Sequence, residues 1–494
     1  MHTRLKKTDK ITPELPSVYL IRKNSNLGVC GFSEKETGYI NNRIEKGKDF
    51  IYIHRSGSYA CLVINDETKP FFSQLELLRN LSQRIQSVVN EHDQPELMIA
   101  DLVDDPELLF ALIEGILLNS YRFSKYQKVT DKKDSFPVRM SIFAPHFQED
   151  DMVRLVALCE AVYLARDLVN EPLSFLNAER LSGEIRKMGD NSGFSVEVMN
   201  KKRLESLQME GLLAVNRGSI DPPTFSILEW KPELVKNEKP FVLIGKGIVF
   251  DTGGLSLKPT ANSMDYMKSD MAGAAAVAGT IYAIARCGLP VHVIGLIPAT
   301  DNRPGGNAIV PGDIITMHDG TSVEILNTDA EGRLILADAL SWSKQYDPSL
   351  VIDLATLTGS AAAAVGPHGT VAMQKQAEVW YEALEESGFY AHERLVLFPL
   401  WEEYHEMLKS DIADLKNIGG KEAGAITAGK FLEHFTSFPW IHLDIAGPAF
   451  LHSENSYRKK GGSAVGVRLL FDFFFRYAGG DKISHKNAPG SKGI

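Results

Sequence analysis

Four carboxylates recur in this chain beside lysines and glycines, each next to an apolar run or a helical pattern. Asp251 closes the run FVLIGKGIVF and opens Thr252-Gly253-Gly254, where glycines let backbone pass close to a ligand. Lys246 lies inside that same run, where an ammonium is costly unless it is paired or the amine is neutral. Lys258, Lys268 and Asp270 follow in SLKPTANSMDYMKSDMAGAAA, and Asp329, Glu331 and Arg333 stand together in NTDAEGRL at the head of a helical pattern. Taken singly, each has a bland reading: a strand-edge lysine reaching solvent, a carboxylate capping a helix, a surface ion pair. Together, Asp251, Asp270, Asp329 and Glu331 fall at strand ends or helix starts of one predicted sheet. Four converging carboxylates cannot all stay ionised in a partly buried place without positive charge, because each raises the pKa of the others. Divalent cations answer that problem, and two of them sharing carboxylates answer it best.

The elements that must position these residues are legible as compact apolar runs at residues 241–250, 291–298, 350–354 and 440–445, with helical patterns at 272–287 and 333–345 between them. Strand and helix in alternation predict an α/β domain with a mainly parallel sheet, whose sites form beyond the carboxyl ends of the strands. A smaller α/β domain is expected over residues 1–150, from short apolar runs at 50–53, 60–64, 97–100 and 138–143 around a helical pattern at 74–89. Residues 151–172 carry a 3.6-residue apolar period that stops at Asn170-Glu171-Pro172, a long helix linking the two domains. The catalytic domain is assigned to residues 173–480 and a polar, disordered tail to 481–494.

Bulk properties narrow the function. With 494 residues, 44% of them hydrophobic, the chain has ample apolar surface for more than one core. Its net charge of −10 disfavours a polyanionic partner such as nucleic acid. Cys30, Cys61, Cys159 and Cys287 are far apart, form no CxxC pair and read as reduced thiols of a cytoplasmic protein. No secretory leader is recognisable, and the Ala/Gly-rich stretch at 271–285 is shorter than the roughly 20 residues a membrane span needs. A serine hydrolase is disfavoured by the lack of a GxSxG elbow. His318, His368 and His442 lack any paired ligand spacing and are not assigned to metal.

The octapeptide NTDAEGRL resembles the signature of the leucyl aminopeptidase family of cytosolic two-metal peptidases. The likeness continues through ARDLVNEP, GKGIVFDTGGLSLKP, MKSDMAGAAA, DLATLTG, KSDIADLKNIGG, AGAITAG and HLDIAG, and so spans residues 165–470. The segment between Lys258 and Asp270 is one residue longer than the family's usual spacing, and GGSAVGVRLL departs from its commoner wording. The resemblance implies one metal among Lys246, Asp251, Asp270 and Glu331, and a second among Asp251, Asp329 and Glu331 with the Asp329 carbonyl. It further implies zinc or manganese as the metals, a hydroxide shared between them as nucleophile, Lys258 as the cation facing the oxyanion, and Arg333 as the holder of a bicarbonate. An apolar pocket for the first side chain would be made by Met267, Thr356, Leu357, Gly359, Ala446 and Ala449. The expected activity is removal of an N-terminal residue, preferably leucine or another apolar one, from peptides with a free amino terminus, by a cytoplasmic homohexamer. The alternative is a DNA-binding or structural oligomer with little or no peptidase activity.

Overall fold

The computed structural model describes residues 3–55, 57–92, 96–128 and 139–479, so the segment expected to be a disordered tail lies outside the described residues. Among these, one compact unit takes residues up to Glu160 together with Ser453–Lys459, and the other takes Ala161–His452 and the chain from Lys460 onward. The long helix Glu149–Asn170 crosses from the first unit into the second.

The first unit holds a six-stranded sheet in the order Arg4–Lys7, Arg139–Phe143, Glu96–Asp101, Ser17–Ile21, Ser58–Ile64, Phe50–Arg55. All pairings are parallel except the hairpin joining the last two. Ser17–Ile21 is buried along its whole length near the middle of this sheet, yet the sequence reading passed over it. Five residues without alternation carry too little periodicity to stand out. Helices Phe71–His92 and Pro106–Asn119 belong to the same unit, and between them Arg79 and Glu114 form a buried ion pair at 2.5 Å. The segment Ser453–Lys459 is tied to the first of these helices, since the Tyr457 hydroxyl donates to Glu76 at 2.9 Å.

The second unit is built on a nine-stranded sheet. Its order is Leu395–Leu397, Thr370–Lys375, Trp440–Asp444, Leu350–Ala355, Phe241–Gly245, Val293–Asn302, Thr224–Trp230, Ser195–Met199, with Gly247–Asp251 also paired to Val293–Asn302. The central pairings are parallel and antiparallel ones flank them. Strands in the middle are apolar on both faces because helices cover both sides. One of these, Ala272–Arg286, is buried from Ala272 to Ala285, which explains why it is rich in alanine and glycine with no charged residue before Arg286. No helix among the described residues is long and apolar enough to cross a membrane.

The run at 241–250, expected as one strand, is two. Phe241–Gly245 pairs with both Val293–Asn302 and Leu350–Ala355, whereas Gly247–Asp251 pairs with Val293–Asn302 alone and with a register shift. The break between them is Lys246, so the sheet opens where the lysine enters.

Candidate metal centre

Lys246 is pinned at that break by its own backbone: its N–H donates to the Leu354 carbonyl and its carbonyl accepts from the Ala274 N–H, both at 3.0 Å. The side chain is only 3% exposed. Its Nζ lies 2.9 Å from Asp270 Oδ1 and 3.0 Å from Glu331 Oε1, and donates to the Thr356 carbonyl at 2.9 Å. Asp270 ends a 3₁₀ turn, Met264–Ser269, and is not the cap of the following helix, whose cap position belongs to Met271. Its Oδ1 also accepts the Thr356 hydroxyl at 2.7 Å.

Asp251 closes its strand opposite Asn302. Its Oδ2 lies 2.8 Å from Lys258 Nζ, and Lys258 is ion-paired with Asp329 as well. The loops carrying these groups are laced together: Ser256 N–H donates to the Thr328 hydroxyl at 2.8 Å, which itself donates to the Gly253 carbonyl at 2.7 Å. Glu331 is the first residue of helix Glu331–Ser343, behind Ala330, which makes no side-chain cap. The reading of Asp329 and Glu331 as helix caps therefore does not describe them; both are turned to lysines.

Charge does not balance within this group. Burial, then Glu331 and Asp270, hold the Asp251 carboxyl well above the usual range. Burial raises Asp270 to about 6 against the pull of Lys246. Asp329 is raised by burial and by Glu331. Burial also works against Glu331, but Lys246 and Lys258 outweigh it and bring its pKa below the ordinary value. Both lysines stay protonated despite burial, because Asp270 and Glu331 surround Lys246 and Asp251 faces Lys258. Asp251, Asp329 and Glu331 each present an oxygen within 4.8 Å of the others, and the buried Asp270 Oδ2 has no hydrogen-bond partner. Such a set suits a hard or borderline divalent cation, which would fill the orphaned oxygen and relieve the repulsion.

Arg333, two residues further along the first turn of the helix, donates through Nη1 to the Asn417 carbonyl at 2.7 Å, while its buried Nε has no hydrogen-bond partner. Burial lowers its pKa to about 10. Of the expected pocket residues, Thr356 holds Asp270, and Met267 accepts the Asp270 N–H through its carbonyl at 3.2 Å. Leu357 and Ala446 are drawn together by Asp444, whose Oδ1 accepts both backbone N–H groups at 3.1 Å. Gly359 opens a helix with free space where a side chain would be, and Ala449 is buried. His442 bonds Asp353 at 2.6 Å in the core and His318 bonds Ser341 at 2.6 Å, so neither joins the carboxylates.

Three participants escaped the sequence reading: Asn302, Thr328 and Asp444. Two of them end strands of the parallel part of the sheet, Val293–Asn302 and Trp440–Asp444, a position that by itself marks them.

A buried group of carboxylates and lysines, held by loops at the ends of parallel strands, is the build of an α/β metal-dependent hydrolase. Comparison narrows the class. The catalytic-domain model of the cytosol aminopeptidase family matches residues 163–471. A probable cytosol aminopeptidase of Chlorobaculum parvum is 51% identical over 381 residues, covering 74% of this chain and 75% of that protein. One of Chlorobium phaeobacteroides is 46% identical over 387 residues, covering 75% and 76%. Among solved structures, a mutant tomato leucine aminopeptidase superposes with a TM-score of 0.84 at 26% identity over 96% of each chain. The bottromycin maturation enzyme BotP in complex with Mn gives 0.81 at 28%, covering 94% of this chain and 99% of that one. The chain belongs to the cytosol aminopeptidase family. It is a metallo-aminopeptidase, a hydrolase of peptides that uses a divalent metal cofactor.

Proposed function

We propose that this enzyme removes leucine or another apolar residue from the amino terminus of peptides by a two-metal mechanism. The observation that carries the reading is the position of Glu331: it pairs with Lys246, which also holds Asp270, and it presents an oxygen within 4.8 Å of Asp251 and Asp329, the two carboxylates paired with Lys258. Lys246, which would have to give up its proton and bind as the neutral amine, would hold one cation together with Asp251, Asp270 and Glu331; Asp251, Asp329 with its carbonyl, and Glu331 would hold the other. The metals are zinc, with at least one position that manganese also fills. When bound, they supply water of lowered pKa as nucleophile and positive charge at the scissile carbonyl.

The chain's own residues do the rest. Lys258, protonated and anchored by its backbone bond to Thr252 at 2.9 Å, stabilises the negative charge that develops on the carbonyl oxygen. Arg333, whose buried Nε is unfilled, would hold a bicarbonate there, which would supply a base for passing the proton to the leaving amine. Met267, Thr356, Leu357, Gly359, Ala446 and Ala449 line the pocket for the first side chain. Residues 173–480 form the catalytic domain, and the enzyme works as a cytoplasmic homohexamer. Exposed apolar side chains such as Leu257 and Ile412, 62% and 64% exposed, suit burial between subunits.

The test is hydrolysis of a leucyl amide by metal-free and metal-restored protein. Chelation is expected to abolish turnover, and zinc or manganese to restore it. Full turnover with metal content verified as nil would defeat the reading.

A further inference from the structure

Asn302 is the last residue of strand Val293–Asn302 and lies opposite Asp251. Its backbone is fixed twice, since its carbonyl accepts both the Thr252 N–H and the Thr252 hydroxyl at 2.9 Å. The residue is 2% exposed. Its Nδ2 lies 2.8 Å from Asp251 Oδ1, 3.0 Å from the Thr328 carbonyl and 3.5 Å from Glu331 Oε2. Three acceptors around one amide atom place the nitrogen, not the oxygen, on that side. The opposite side of the amide rests against Gly254: a Cβ there would meet Asn302 Oδ1 at 2.8 Å and Thr328 Oγ1 at 2.9 Å. The amide therefore has little freedom to turn.

Asp251 and Glu331 carry like charges on different segments, a strand end and a helix start, and repulsion drives them apart. A neutral donor between them has no charge of its own to interfere with a cation, yet it meets both carboxylates and the carbonyl just before Asp329. We propose that Asn302 is a positioning residue for metal binding, its amide fixing the spacing of the two shared carboxylates so that both cations meet a preformed site. Hydrogen bonds of this kind to ligating carboxylates typically govern metal affinity by about 10–100-fold. The inference rests on the two-metal reading above.

The experiment uses full-length wild type, Asn302→Ala and Asn302→Leu, the second keeping side-chain bulk while removing the donor. Each is stripped of metal, checked by circular dichroism and titrated with zinc against a chromophoric chelator. Wild type is expected to take up two equivalents, and both variants the same two about 10–100-fold more weakly, with the loss on both. A wild type that binds fewer than two overturns the two-metal reading and this inference with it. If wild type binds two, affinities within about twofold of it in a variant with native circular dichroism overturn the role of Asn302 alone. Weakening confined to one equivalent overturns the sharing. Two variants that both lose the native spectrum make Asn302 a folding residue and overturn the proposal as well.

Discussion

Gly332 and Lys246 are in contact across the metal centre: a Cβ at position 332 would lie 2.5 Å from Lys246 Cε and 2.7 Å from its Nζ. Gly332 sits in the first turn of helix Glu331–Ser343, and glycine is a poorer helix former than alanine. The glycine of NTDAEGRL is therefore there for space: it lets the helix that begins with Glu331 approach the lysine closely enough to share an ion pair.

Gly332→Ala should gain helix propensity and still lose function, because the methyl group displaces the ammonium from Asp270 and Glu331. Zinc affinity is expected to fall at least about tenfold, as for disturbed ligand support. Calorimetric titration of the metal-free variant checks this; unchanged affinity together with a raised melting temperature would show that Lys246 yields without consequence.

Replacing Lys258 and Glu331 separates the oxyanion contact from the metal ligands. Lys258→Ala should lower turnover by about 10²-fold or more, the typical effect of losing an oxyanion donor, with both metals retained. Glu331→Ala should lose metal and some stability with it, since metal binding is linked to folding. Turnover measured beside metal content distinguishes them. A Lys258 variant with wild-type turnover defeats its assignment, and one without metal makes that lysine structural.

Peptides acetylated at the amino terminus should not be cleaved, because the proposed activity acts on a free amino terminus, whose amine would bind one of the two metals. Initial rates on matched free and blocked leucyl peptides, followed by chromatography, give the answer. Equal rates would remove the exopeptidase assignment.

Asp338 predicts a pH effect away from the metals. It is buried in helix Glu331–Ser343 and accepts the Leu212 N–H at 2.9 Å and the His318 N–H at 3.1 Å. Burial, only partly offset by these bonds, pushes its carboxyl up to about 7. Unfolded, it titrates near 3.9. Between these values the folded chain holds a proton that the unfolded chain has released, so stability falls as pH rises from about 4 to about 7 and levels off above. The stability of wild type relative to Asp338→Asn should fall across that window by up to about 1.4 kcal/mol per pH unit. Denaturant unfolding of both proteins at several pH values measures the difference, and a flat difference would show that Asp338 stays ionised.

What could be read without a structure was whatever is encoded locally. The α/β class followed from apolar runs alternating with helical periods, and the candidate ligands followed from carboxylates beside glycines at the edges of those runs. The NTDAEGRL octapeptide placed Asp329, Glu331 and Arg333 on one helix start because it is contiguous, and the family followed from the same contiguous motifs. Partnerships were not legible. By its local pattern Lys246 was a strand lysine, grouped with Asp270 and Glu331 only through the family resemblance; the structure adds the break in the strand that turns it onto them. Thr356 was expected as a pocket wall, and only the tertiary structure shows that its hydroxyl also holds Asp270. Asn302 carried only the weak signal of a polar residue closing an apolar strand, and an asparagine there is most often a turn residue. It matters only because its strand end falls opposite that of Asp251 and near the helix start that carries Glu331. Local sequence governs propensity and side-chain chemistry. Which charges meet is set by strand order and register, and these bring together residues that lie tens of positions apart in the chain.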